Sequence, residues 1–111
     1  MVKSNAQRLD SIFHGLADST RRAILRDLSA GAKSVGNIAK PYALTLAAVS
    51  KHIKVLEAAD LVARQRRGSF QLVRLNAGTL QQADQWLAYY TQFWTARLDS
   101  FETYLERDEH E

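Results

Sequence analysis

The sequence predicts a mainly α-helical domain with one small β-hairpin, in the order α-α-α-α-β-β-α. Three observations predict it. Apolar residues recur at helical spacing along most of the chain, the period switches to extended over residues 61–75, and Ser, Thr, Asp, Gly and Pro punctuate the intervals. At 111 residues the chain is long enough for one domain with a real core and too short for two. Its composition, 46% hydrophobic and 24% charged with one Pro and five Gly, is globular and excludes a disordered or fibrous chain.

The first helix is expected over about residues 5–17, where Leu9, Ile12, Phe13 and Leu16 share one face. Asp18 reads as the N-cap of a second helix whose apolar side is Ala23, Ile24, Leu25 and Leu28, and Gly31 ends it. Ser34 caps a short third helix over Val35, Ile38 and Ala39, which Pro41 stops. Thr45 then caps a fourth, running to about Ala59. On it Val49, Ile53 and Leu56 face one way, and Ser50, Lys51 and Lys54 the other.

Residues 61–67 and 70–75 form two extended runs around Gly68-Ser69, a hairpin signature. Thr79-Leu-Gln-Gln82 reads as a capping box opening a last helix to about residue 106, with a ragged acidic tail over 106–111. Such a helix is about 40 Å long. A body of this size has a radius of gyration of only about 13 Å, so the helix cannot bury all of itself at home.

The net charge of +3 conceals an asymmetry. Residues 1–76 carry thirteen Lys and Arg against five Asp and Glu, a net of +8, whereas residues 77–111 carry two against seven, a net of −5. One end is therefore suited to a polyanion and the other is not. The absence of Cys excludes disulfide scaffolds, thiolate chemistry and Cys-ligated metal centres. No apolar run spans a membrane or forms a signal-peptide core, so the chain is expected in the cytoplasm, away from membranes.

A short helix, a tight turn and a second helix with small residues at its start make a helix-turn-helix over about 34–59. With the hairpin at 61–75 it becomes a winged helix-turn-helix. Thr45, Ala47, Ala48 and Ser50 are small enough to approach base edges in a major groove about 12 Å wide. Lys51 and Lys54 can reach phosphates, as can Arg64, Arg66 and Arg67 on the wing. His52 and Ser69 complete the candidate DNA-binding set.

Three segments, LADSTRRAIL (16–25), PYALTLAAVSKHIKVLEAADLV (41–62) and RRGSFQLVRLN (66–76), resemble the ArsR/SmtB family of bacterial transcriptional repressors over roughly residues 5–105. The resemblance implies a homodimer on a palindromic operator, released by a small signal. Two departures are conformational: Ser19 stands where the family often has Pro, and Asp60 where it often has Gly. A third concerns sensing. Metal-sensing members resemble one another in a Cys motif on the third helix or in Asp and His ligands on the last. Here the third helix reads SVGNIAK, and residues 80–106 contain no His. His14, His52 and His110 match no zinc spacing, so neither a metal site nor a cofactor is expected.

Seven of the ten aromatics lie between Trp86 and Tyr104, too many for one core-facing seam. Leu80, Leu87, Trp94 and Phe101 repeat every seven residues, joined by Tyr90, Leu98 and Leu105, while Trp86, Tyr89 and Phe93 broaden the stripe. The expected dimer interface is Leu9, Phe13, Trp86, Tyr89, Tyr90, Phe93, Trp94, Leu98 and Phe101. Its rival is a ligand pocket among Trp86, Tyr89, Tyr90, Phe93 and Trp94, for an unidentified small-molecule effector. The function expected is a dimeric, sequence-specific DNA-binding regulator, a repressor, with double-stranded DNA as partner. The alternative is a dimeric interaction module that kept the fold and lost DNA binding. No nucleophile–base pair, carboxylate dyad or phosphate-binding glycine loop supports an enzyme.

Overall fold

Each of the first four helices starts at a side chain that accepts one of the backbone N–H groups a helix leaves unpaired. The computed structural model describes residues 4–110. In it the Ser4 hydroxyl accepts from the Gln7 N–H at 3.2 Å and opens α1 (Asn5–Leu16). The Asp18 carboxylate accepts from Arg21 at 3.0 Å and opens α2 (Ser19–Leu28). Ser34 does the same for Asn37 at the start of α3 (Val35–Ala39), and Thr45 for Ala48 at the start of α4 (Leu46–Ala58). Asp18, Ser34 and Thr45 are the caps read from the sequence. Ser4, which with Gln7 forms a reciprocal capping box, was missed.

Three expectations need correction. The element order contains an additional strand, β1 (Lys33–Ser34), ahead of α3. It pairs antiparallel with β3 (Phe70–Leu75), which also pairs with β2 (Val62–Arg67), so the sheet has three strands in the order β1-β3-β2. Two residues are too few to show an alternating pattern. The last helix, α5 (Ala77–His110), begins before Thr79, so Thr79-Leu-Gln-Gln82 is not its cap. The Thr79 side chain is instead buried, its hydroxyl donating to Asp60 Oδ2 at 3.4 Å. Finally, the expected ragged tail is helical through His110; Glu111 lies outside the described residues.

The core lies between α1, α2, α3, α4 and the roots of the wing. Ile12, Ile24, Ile38, Val49, Ile53, Leu56, Leu61, Val62 and Val73 are fully buried in it. Arg21 closes the end of α1 by donating through Nε to the Gly15 carbonyl at 2.9 Å and through Nη2 to that of His14 at 2.9 Å. Arg22 Nη1 donates to the Leu16 carbonyl at 2.7 Å. Both arginines of the LADSTRRAIL segment are thus structural: they bond the last carbonyls of α1, of which that of His14 also accepts the Ala17 N–H.

The end of α4 is equally defined. Leu61 N–H reaches the Leu56 carbonyl at 2.9 Å and Asp60 N–H that of Glu57 at 2.9 Å, with Asp60 at φ 59° between them. This is a Schellman motif, whose left-handed position favours glycine. It turns the chain directly from α4 into β2. The wing returns at Gly68, at φ 60°, and Ser69.

Helix α5 leaves this body. Among the described side chains Ala83 is the last buried one, and every side chain from Asp84 to Arg107 is exposed. The described chain therefore measures 69 × 37 × 21 Å with a radius of gyration of 19.2 Å. A chain of this length folded on itself has about 13 Å.

Candidate nucleic-acid interface

Helix α4 packs against α1, α2, α3 and β2, which leaves its first turn and one long side uncovered. Thr45, Ala47, Lys51 and Lys54 are exposed there, with Ala48 and Ser50 half-buried. On the wing Arg66, Arg67 and Ser69 are exposed; Arg66 Nε donates to the Gly68 carbonyl at 3.4 Å. Thr45, Ala47, Lys51 and Lys54 of the expected set thus lie open on α4, next to a wing that carries two open arginines.

His52 and Arg64 are placed differently. His52 is half-buried between α4 and α2, with Nδ1 3.8 Å from Asp18 Oδ2 and 3.5 Å from Arg21 Nη1. Asp18 is held below the usual carboxylate range, first by the Arg21 N–H it accepts and then by the charges of His52 and Arg21, against its partial burial. Arg64 Nε donates to Glu57 Oε1 at 2.9 Å and Nη1 to Gln71 Oε1 at 3.3 Å. It ties the wing to α4, and its guanidinium is largely committed to that task. The turn before α4 is held from behind as well, where the Tyr42 hydroxyl donates to Asp27 Oδ2 at 2.8 Å.

Sequence reasoning passed over two residues of this surface, Leu46 at the start of α4 and Phe70 at the wing tip, both largely exposed. Phe70 faces Arg67 across the hairpin. Leu46 is in phase with Val49, Ile53 and Leu56, so periodicity alone assigns it to the core.

The expected interface residues form a second surface. Leu9 and Phe13 are half-buried on α1, and the Phe13 ring meets Trp86 edge-on at 5.5 Å. Rings continue along α5 from Trp86 to Tyr90 at 5.0 Å and from Tyr89 to Phe93 at 5.7 Å. Trp94, Leu98 and Phe101 lie further out, with none of the protein's own body beneath them. A cavity of about 350 Å³ is found away from these aromatics. It lies where α1, the end of α4 and the start of α5 meet, lined by Arg8, Ser11, Ala59, Asp60, Thr79 and Gln82. Among the described residues no three His, Cys, Asp or Glu side chains come together as a metal site. No described helix is long and apolar enough to cross a membrane.

Comparison with known proteins agrees with this geometry. Residues 16–65 match the family described as "Helix-turn-helix domain". The chain is 30% identical over 79 residues to the transcriptional repressor SdpR of Bacillus subtilis, covering 71% of this chain and 88% of that protein. It is 35% identical over 92 residues to the HTH-type transcriptional regulator Rv2034 of Mycobacterium tuberculosis, covering 83% of each. The crystal structure of the ArsR family transcriptional regulator RHA00566 superposes with a TM-score of 0.74 at 32% identity, covering 86% of this chain and 97% of that one. The chain belongs to the ArsR family. This ArsR-family protein is a DNA-binding transcriptional regulator, not an enzyme. Both departures noted in its sequence fit the fold: Ser19 is the first residue of α2, and Asp60 takes the left-handed conformation.

Proposed function

We propose that this regulator is a homodimeric repressor whose paired α4 helices enter successive major grooves of an inverted-repeat operator. The observation that carries the reading is the uncovered aromatic face of α5. A body with its core complete at Ala83 has nothing left to cover Trp94, Leu98 and Phe101, and a second copy of the same helix does. Helix α1 joins the interface through Leu9 and Phe13. A two-fold axis there sets the recognition helices about 34 Å apart, one turn of DNA. Thr45, Ala47, Ala48 and Ser50 face base edges, Lys51, Lys54, Arg66 and Arg67 meet phosphates, and His52 and Arg64 position α4 and the wing. Repression agrees with the name of the relative SdpR. A small molecule that releases the operator completes the reading.

The test joins mass to salt dependence. Sedimentation at micromolar concentration is expected to show twice 12.5 kDa. Four phosphate contacts per protomer give a slope of log K against log[salt] of about −7 for the dimer. Replacing Arg66 and Arg67 with Ala is expected to weaken specific and random DNA alike and to make the slope shallower by about 3 to 4. A fully folded monomer would overturn the dimer. A wing variant with unchanged affinity and slope would return the protein to the class of interaction modules.

A further inference from the structure

Leu46 is the first residue of α4 and is 58% exposed. It precedes Val49, Ile53 and Leu56 by three, seven and ten residues, so the helix places it in line with the core, but the core stops one turn short of it. Nothing in the fold calls for a leucine there. Leu44 differs, because the residue before an N-cap commonly packs on the fourth helical residue, here Val49.

The other groups at this tip offer few free hydrogen bonds. Ala47 and Ala48 have none, and the Thr45 hydroxyl accepts the Ala48 N–H at 3.1 Å. Helix α4, LAAVSKHIKVLEA, contains no Arg, Asn or Gln. Arg and Lys read guanine, and Asn and Gln are the bidentate readers of adenine; the two lysines of α4, Lys51 and Lys54, lie one and two turns beyond the tip and are assigned to phosphates. What an apolar tip can tell apart is the 5-methyl group of thymine, which the major groove presents beside the polar base edges.

Resting on the placement of α4 in the major groove, we propose that Leu46 is a specificity-determining residue that reads a thymine methyl in each operator half-site. Leucine and methyl are both taken out of water when they meet, and the gain corresponds to about fourfold in affinity per methyl. Any other base pair at that position leaves Leu46 against a polar edge, which adds to the discrimination.

Deoxyuridine keeps every hydrogen-bonding group of thymidine and lacks only the methyl, so it isolates the contact. An operator is first selected from random duplexes with the full-length protein. Each dT is then replaced by dU, symmetrically in both half-sites. At one position dU is expected to weaken wild-type binding by about 15-fold. Leu46→Ala is expected to bind the dT and dU operators within about twofold of each other. Equal binding of random DNA by both proteins shows that the variant is folded and keeps its phosphate contacts. The proposal is overturned if dU costs the wild type nothing at any position, a result that needs no variant. It is also overturned if Leu46→Ala loses as much from dU as the wild type does. In either case operator binding by the wild type would leave the proposed function standing. A wild-type protein that selects no operator at all would overturn the placement of α4 and this proposal with it.

Discussion

At the scale of single residues, much of the chain's polar chemistry is spent on geometry. Tyr42 holds the turn before α4 by donating to Asp27, and burial first, then the Asp27 bond and charge, push its phenol up to about 12. An unfolded tyrosine titrates near pH 10. The raised value means that the folded state keeps the proton longer. The stabilisation is complete below about pH 10 and is lost as pH climbs to about 12. Urea unfolding followed from pH 9 to pH 12.5 is therefore expected to show a steeper decline for the wild type than for Tyr42→Phe, the difference accumulating in that window. Asp60 is a second case. It holds a left-handed position that glycine would hold without strain, and it also accepts the buried Thr79 hydroxyl. The side chain has a task that glycine could not perform.

Among the elements, the junction of α1 with the end of α4 admits least change. A Cβ built on Gly15 would lie 2.8 Å from Leu61 Cδ1 and 3.4 Å from the Ala59 Cβ. Leu61 is completely buried, so its Cδ1 can give way only by disturbing the packed core around it. Gly15→Val is expected to destabilise the protein by about 1–3 kcal/mol through overpacking, read as a lower urea midpoint at unchanged slope. The junction matters for function because Leu61 leads straight from the α4 cap into β2. The wing is then fixed to α4 a second time by the Arg64–Glu57 pair. Both recognition elements are set by the same few contacts.

For the whole molecule, the decisive fact is that the chain is longer than its core. Beyond Trp86, which meets Phe13 of α1, the side chains of α5 are exposed through Arg107, and an isolated helix of that kind is marginal in water. Phe101→Asp is expected to halve the sedimenting mass and to lower the far-UV helical signal as the outer part of α5 frays. The body should unfold at unchanged urea midpoint when monomers are compared, because Phe101 touches none of it. A variant that stays dimeric would move the interface away from the outer half of α5. The charge asymmetry acts at this scale too. In the proposed assembly the basic body meets DNA and the acidic helix is kept for self-association, so the two do not compete.

Features that depend on residues a few positions apart are legible in the chain alone. Asp18, Ser34 and Thr45 cap helices because each needs only the N–H three residues on. Gly68-Ser69 turns the wing because the turn needs only two residues. The uncovered stripe on α5 was legible because seven aromatics on one helix exceed what a small body can cover. Features that depend on partners far away along the chain emerge only in the fold. Strand β1 exists only because β3 lies beside it. Thr79 looks like a cap until Asp60, 19 residues earlier, takes its hydroxyl. The position of His52 against Arg21, 31 residues earlier, and Asp18 is likewise set by the fold and not by spacing along α4. Leu46 looks like core until the core ends before reaching it. Local patterns are written by steric and hydrogen-bond rules that act within one turn, whereas burial and pairing are set by which distant surfaces the fold brings together.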